Sequence, residues 1–269
     1  MSSKIGIGII TCNRVNYFKQ LINSIPDVDG IVVVNDGTTY ENGVYPSKVK
    51  EVIQHKKNKG IAKSKNDALK YLLAQDCEHI FLFEDDIAIK DDSIIEKYIR
   101  ASKLSGILHF NYAYHGNWNK TEKGEPNPRL IIKYDEITKI AFHYYVTGAL
   151  AYFRDMVLKK VGLMDEKYLN VLEHTDHTFR IIQAGFHPPS RWFADVEDSY
   201  NSIIELDPLL RESVNSKNIF SIKYRAKIFG VYFMLKNGYR PYRVPTFNEQ
   251  QFLKILDELK AKYSNDKAG

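Results

Sequence analysis

The chain has 269 residues, 44% of them hydrophobic and 26% charged, with a formal net charge of +5. That composition excludes extended disorder, and the basic surplus is too small and too dispersed to predict a nucleic-acid partner. No apolar run approaches the roughly 20 residues that a bilayer-spanning helix needs, and no secretory signal is legible at the start, so a cytoplasmic protein is expected, at most peripheral at the inner face of a membrane.

The first hundred residues alternate between strand and helix patterns. Lys4–Thr11 is a β-branched run, Val15–Ile25 has helical spacing, and Gly30–Asn35 is a second continuous apolar run. Val49–Gln54 predicts a third short strand and His79–Phe83 a fourth. Between them, Ile61–Leu73 predicts a helix with Ile61, Ala62, Ala68, Leu69, Leu72 and Leu73 on its apolar positions. Continuous apolar strands interleaved with helices predict an α/β fold, with a mainly parallel sheet covered on both faces. Cys12 and Cys77 lie in apolar contexts and are expected to be free thiols in a reducing compartment.

Tyr112–Asn127, rich in Asn, Gly, Lys and Glu, reads as a long loop. Loops of that length inside a compact domain are commonly functional, so an active-site flap is expected. Strand patterns return at Leu130–Lys133 and Ile140–Val146, and helices are predicted over Asp155–Val161 and Glu173–Ala184. Beyond Asp195 the pattern turns helical and more polar, closing on Gln250–Tyr263 with an apolar stripe at Phe252, Ile255, Leu256 and Leu259. A main domain over 1–204 and a helical extension over 205–269 are therefore expected.

Three predicted strands end in polar clusters: Thr11-Cys12-Asn13-Arg14, Asn35-Asp36-Gly37-Thr38 and Glu84-Asp85-Asp86. Ligands on open α/β sheets bind beyond the carboxyl ends of the strands, so these clusters should meet at one rim. Three adjacent carboxylates at the end of a buried strand repel one another unless a cation or several donors compensate them. Hard divalent cations do so through one or two carboxylates plus substrate phosphates. The plainer alternative is a solvated acidic turn before the helix near Asp91-Asp92. Asn35-Asp36-Gly37-Thr38 taken alone is a common turn. Asn58-Lys59-Gly60-Ile61-Ala62-Lys63-Ser64-Lys65-Asn66 opens a helix whose amides and lysines suit a diphosphate, although helix lysines are as often merely solvated.

The order of these four motifs resembles the nucleotide-binding half of glycosyltransferase family 2 over about the first 90 residues. The resemblance implies a metal-dependent GT-A fold, with a nucleotide-sugar-binding half at 1–105 and an acceptor-side half at 106–204. It implies Thr11, Asn13 and Arg14 lining the nucleotide pocket, Asp36 on the base or ribose, and Asn58, Gly60, Lys63 and Asn66 bordering base and diphosphate. Asp86 would ligate Mn²⁺ or Mg²⁺, with Glu84 and Asp85 facing ribose, sugar or metal-bound water. Phe83 and Glu84 stand where many members have Asp and a small residue. The implied reaction is inverting transfer of a hexosyl or N-acetylhexosaminyl group from a UDP-sugar to a saccharide or glycoconjugate hydroxyl, in polysaccharide biosynthesis.

In the second half Glu173, Asp176 and Arg180 match the spacing of the family's box around the proposed base, and His174 replaces its second acid. Asp176 is the preferred base, followed by Glu173 and His174. The bland alternative is a surface helix with acids at its N-terminus and an Asp176–Arg180 pair. His174 or His177 is a candidate further metal ligand. Trp192, Phe193 and Asp195 offer a sugar-stacking site or, more simply, core. A sugar nucleotidyltransferase is the rival enzyme, but the turn after the first strand lacks its glycines. A catalytically inactive binding module is the third reading. Lys223, Arg225, Lys227 and Lys236, interleaved with Phe229, Tyr232 and Phe233, suggest contact with anionic lipid or a twin subunit. A packed helix with snorkelling lysines is the simpler expectation.

Overall fold

A computed structural model describes residues 3–208, 219–241 and 243–264. The uninterrupted aliphatic runs become strands buried on both faces. They are β1 (Ile5–Thr11), β2 (Gly30–Asn35) and, beyond the short β3 (Glu51–Gln54), β4 (His79–Glu84). Helices α1 (Val15–Ser24) and α2 (Ile61–Ala74) connect them. Each turns one apolar stripe to the sheet, with Phe18, Leu21 and Ile22 buried from α1 and Ala68, Leu69 and Leu72 from α2. In the β1–β2 ladder Thr11 lies opposite Asn35, and in the β1–β4 ladder Ile10 lies opposite Glu84, so the three polar clusters end on one rim as expected.

The remaining elements are β5 (Ile87–Ile89), α3 (Ile94–Ser105), β6 (His109–Asn111), β7 (Leu130–Lys133), β8 (Lys139–His143) and β9 (Leu150–Arg154). They continue with α4 (Asp155–Val161), α5 (Glu173–Gln183), β10 (Phe193–Val196), α6 (Ser199–Ser202), β11 (Ile203–Glu205), α7 (Ile219–Asn237) and α8 (Glu249–Tyr263). The central sheet runs β3-β2-β1-β4-β9-β6; its first four strands are parallel, and β9 runs antiparallel to both β4 and β6. Strands β5, β6, β9, β10 and β11 did not emerge from the sequence, and β11 falls where a helical pattern is expected. Each is only three to five residues long, too short for periodicity to separate it from a loop. An antiparallel sheet β10-β8-β7 and a β11-β5 pair flank the main sheet.

The predicted C-terminal extension divides into two structural roles. Helix α8 starts in a capping box formed by Asn248 and Gln251, and its Phe252, Leu256, Leu259 and Tyr263 join the main core. Its backbone comes so close to Gly106, which has φ +73°, that a Cβ there would stand 2.2 Å from the Leu259 carbonyl oxygen. Trp192 stacks on Phe252 with ring centroids 4.1 Å apart, so it is core rather than a sugar platform. Asp195 is equally structural: fully buried, it accepts from the Tyr98 hydroxyl, the Ala113 amide and the Ser199 hydroxyl.

Helix α7 instead closes a second, smaller apolar cluster through Phe233, against Tyr168, Leu172, Phe179 and Val244. Its opposite side leaves Tyr224, Ile228, Val231 and Leu235 in solvent, at 68, 47, 53 and 77% exposure. The side chain of Lys223 lies outside the described residues. Both cysteines are free, and among the described residues no helix is long and apolar enough to cross a membrane.

Candidate active site

The rim of β1, β2 and β4 opens into a cavity of about 780 Å³ whose far wall is the start of α5. That size falls within the range of small-molecule sites, roughly 300–1,000 Å³. Thr11, Arg14, Asp36, Asn58, Gly60, Glu84, Asp85 and Asp86 all line it, and so do Glu173 and His174. Two sequence segments about 90 residues apart, the acid box and the opening of α5, thus face one space.

The three carboxylates of the box have different surroundings. Asp85 is fully buried, accepting from Thr11 Oγ1 at 2.6 Å and pairing with the Arg14 guanidinium. Burial pushes its carboxyl up to about 7 even with Arg14 beside it. Asp86 shares Arg14 through Oδ2 at 3.2 Å, but its Oδ1 is buried with no hydrogen-bond partner. Glu84 turns the other way, to Lys65 Nζ at 2.7 Å.

Lys65 was legible only as one of three lysines on a helix. It is fully buried, and its ammonium joins Glu84, the Gly148 carbonyl at 3.1 Å and Glu173 at 3.3 Å. It therefore ties the end of β4 to the start of α5. Burial opposes the charge on Glu173, but the Lys65 ammonium outweighs it with help from His174, and the Glu173 carboxyl is held down at about 2. Gly148 allows a close approach at this junction, since a Cβ would lie 3.1 Å from His174 Nδ1 and 3.3 Å from Lys65 Nζ and would press on both.

A lowered carboxyl pKa contributes stability that is present above the ordinary value near 4.5 and disappears as pH falls toward 2. The stability difference between the native chain and Glu173→Gln, from urea midpoints, is accordingly expected to shrink between those pH values. The expected shrinkage is of the order of 3 kcal/mol. A constant difference across that window would contradict the Lys65–Glu173 pairing.

On α5, Glu173, His174 and Thr175 line the cavity, whereas Asp176 and His177 do not. His174 Nδ1 lies 3.2 Å from Glu173 Oε1, and its side chain keeps 26% exposure. Asp176, the base preferred from sequence, is instead fully buried under four donors: the Tyr168 hydroxyl, Arg180 Nε, Lys236 Nζ and Asn237 Nδ2. The helical period explains the burial of Asp176, which two positions beyond His174 points to another face; His177, three positions on, lies near the face of His174 but is buried one turn further along the helix. His177, a candidate metal ligand, is buried and donates from Nε2 to the Gly162 carbonyl at 2.9 Å. Burial first, and then Arg180, lowers its pKa to about 3, so it is a neutral structural histidine.

Three of the predicted nucleotide-side residues also serve the scaffold. Asn13 accepts from the Thr38 amide, Lys63 pairs with Asp67, and Asn66 clasps Met164 through both its amide and its carbonyl. None of the three lines the cavity. Asp36 does line it, but its oxygens already accept from the Lys59 and Gly60 amides at 2.7 and 2.8 Å, and His55 Nδ1 is 2.6 Å away. These bonds hold the turn that opens α2, where Gly60 has φ +89°.

The loop predicted as a flap begins buried, at Tyr112, Ala113 and Tyr114, and meets the cavity through His115 and Trp118. His115 places Nε2 3.9 Å from Asp86 and Nδ1 3.6 Å from Glu205. Its loop position offered no signal in the sequence. Among the described residues no three His, Cys, Asp or Glu side chains form a ready-made ion cage. Mg²⁺-type ions do not require one, because they typically take one or two carboxylates together with substrate phosphates and water. Asp86, with Oδ1 unpartnered and His115 Nε2 3.9 Å from Oδ2, fits an ion that arrives with a diphosphate.

With its four-stranded parallel edge, antiparallel strands beyond it and an acidic strand end at the rim, the chain has a GT-A-type fold. Among solved structures the chain is similar to S. aureus TarS, with 16% identity, a TM-score of 0.50, and coverage of 95% of this chain and 48% of that one. It thus spans about half the length of that protein. It is also similar to TarS 1-349 in complex with UDP-GlcNAc, with 15% identity, a TM-score of 0.50, and coverage of 95% of this chain and 80% of that one. At these identities the likeness is one of fold. The sequence matches no protein-family model and no curated protein.

Proposed function

We propose that this chain transfers a sugar from a UDP-sugar to a hydroxyl of a saccharide or glycoconjugate, with inversion at the anomeric carbon. The observation that carries the reading is the single cavity joining the Glu84-Asp85-Asp86 rim to Glu173 and His174 through buried Lys65. The UDP-GlcNAc held by a protein of the same fold supports a uridine donor. Asp86, with His115 beside it, would hold Mn²⁺ or Mg²⁺. Once bound, such an ion neutralises charge on the diphosphate leaving group.

His174 is the base in this reading. Glu173 orients the imidazole from Nδ1 and leaves Nε2 to take the proton of the acceptor hydroxyl. The acceptor oxygen bonds to the anomeric carbon as the carbon–diphosphate bond breaks on the opposite face, and UDP departs. Neither carboxylate suits the role: Asp176 is outside the cavity, and Glu173 is too acidic for efficient proton abstraction near neutral pH.

Calorimetric titration with a panel of UDP- and GDP-sugars, with manganese or with chelator, tests the donor side. UDP-sugars are expected to bind with manganese and to weaken about tenfold or more on chelation or in Asp86→Ala, a loss of roughly 1.4 kcal/mol or more. Binding of every donor indifferent to both changes would remove the metal role. Failure of all donors to bind would remove the sugar-transfer reading.

Peripheral contact with anionic lipid is supported by α7, whose solvent-facing Tyr224, Ile228, Val231 and Leu235 follow a helical spacing and whose 19 residues include no Asp or Glu. Phosphatidylglycerol vesicles are expected to sediment the protein, phosphatidylcholine vesicles to leave it in solution, and Ile228→Glu with Leu235→Glu to abolish the difference. If those substitutions dissolve a dimer instead, the face belongs to a twin subunit.

A further inference from the structure

The cavity lining includes an unusual surface. Trp118, Tyr144 and Tyr145 all line the cavity, yet remain 49, 42 and 36% exposed. Large aromatic rings normally bury most of their area, and a contiguous exposed group of them marks a contact surface. The three rings form one cluster: Trp118 and Tyr145 have centroids 4.7 Å apart, and Tyr145 and Tyr144 5.1 Å in an edge-to-face arrangement.

The cluster is held in place from below. Asn119 is 8% exposed and bonds the Tyr145 backbone in both directions, accepting from its amide at 3.1 Å and donating to its carbonyl at 2.9 Å. It also donates to the Ala113 carbonyl at 2.8 Å. A side-chain amide thereby locks the residue after Trp118 to the strand exit that presents Tyr145. Arg191, in the left-handed region at φ +72°, sets its guanidinium 4.6 Å from the Tyr144 ring centre. Holding a non-glycine residue in that region costs free energy, which the surrounding structure has to offset. The rings are therefore ordered before any ligand arrives, which lowers the entropy lost on binding.

We propose that Trp118, Tyr145 and Tyr144, braced by Asn119 and Arg191, are the acceptor platform: an angled aromatic cluster, one ring face of which packs against a pyranose ring of the saccharide that receives the sugar. This deepens the transfer reading and rests on it. A pyranose has one face of polarised C–H bonds and an edge of hydroxyls. The first packs against the electron-rich faces of aromatic rings, while the hydroxyl edge remains free to point down the cavity toward His174. β-Linked sugars with equatorial substituents present the flattest such face, and they are the class this surface fits.

Tryptophan fluorescence reads the platform directly, because the chain has two tryptophans and only Trp118 is exposed. Titration with cellotriose and with chitotriose into the millimolar range is expected to give a saturable change. Tyr145→Ala should weaken that response about tenfold while UDP binding, measured by calorimetry on the same sample, stays intact and reports that the variant is folded. Asn119→Ala should weaken the response in the same direction, although its side chain meets no sugar. No response to either saccharide, an unchanged response in Tyr145→Ala, or a response to UDP alone would overturn the platform, the last by assigning the rings to the nucleobase. A saccharide response in a protein that binds no UDP-sugar would uphold the platform and overturn the transfer reading.

Discussion

His174→Ala is expected to lower transfer about 10²–10⁴-fold while changing UDP-sugar affinity little, because a positioned general base acts on the chemical step and not on donor binding. The residue stands at the cavity with Glu173 behind Nδ1, in the geometry by which a carboxylate fixes which imidazole nitrogen is free. The reading is checked by kcat with a saturating acceptor, alongside calorimetric donor affinity. It fails if His174→Ala keeps its turnover while Asp176→Asn, still folded, loses it.

Asp176→Ala should show the opposite signature: a large loss of stability. Its carboxylate is fully buried between Arg180, Lys236, Tyr168 and Asn237. Removing the anion leaves the Arg180 guanidinium with backbone carbonyls alone and Lys236 with Asp165 as its remaining carboxylate; breaking such a buried ion-pair network typically costs about 3–5 kcal/mol. For a chain of this size that amounts to a fall in Tm of the order of 10 °C. Lys236 and Asn237 belong to α7, whose Arg225 and Phe233 line the cavity, so weaker donor binding should follow as that wall loosens. An unchanged Tm with transfer abolished would return Asp176 to the chemistry.

These two expectations differ because α5 presents its residues on different faces. Glu173 and Asp176 are equally acidic in the sequence, three positions apart, and nothing local distinguishes them. Lys65 beside one, and Lys236 and Arg180 beside the other, assign them to separate networks. His177 and His174 pose the same problem on that helix: one binds a backbone carbonyl, the other opens to the cavity.

What the amino-acid order determined by itself was the parallel half of the sheet and the meeting of its polar strand ends. Those follow from local facts, namely buried β-branched runs and the directionality of strand–helix–strand connections. The short strand β9, the anchoring of α8 on the core through Phe252, and the partnership of Lys65 with both Glu84 and Glu173 were decided only in three dimensions. Each depends on residues tens of positions apart, where burial and charge compensation act through space and leave no periodic trace along the chain.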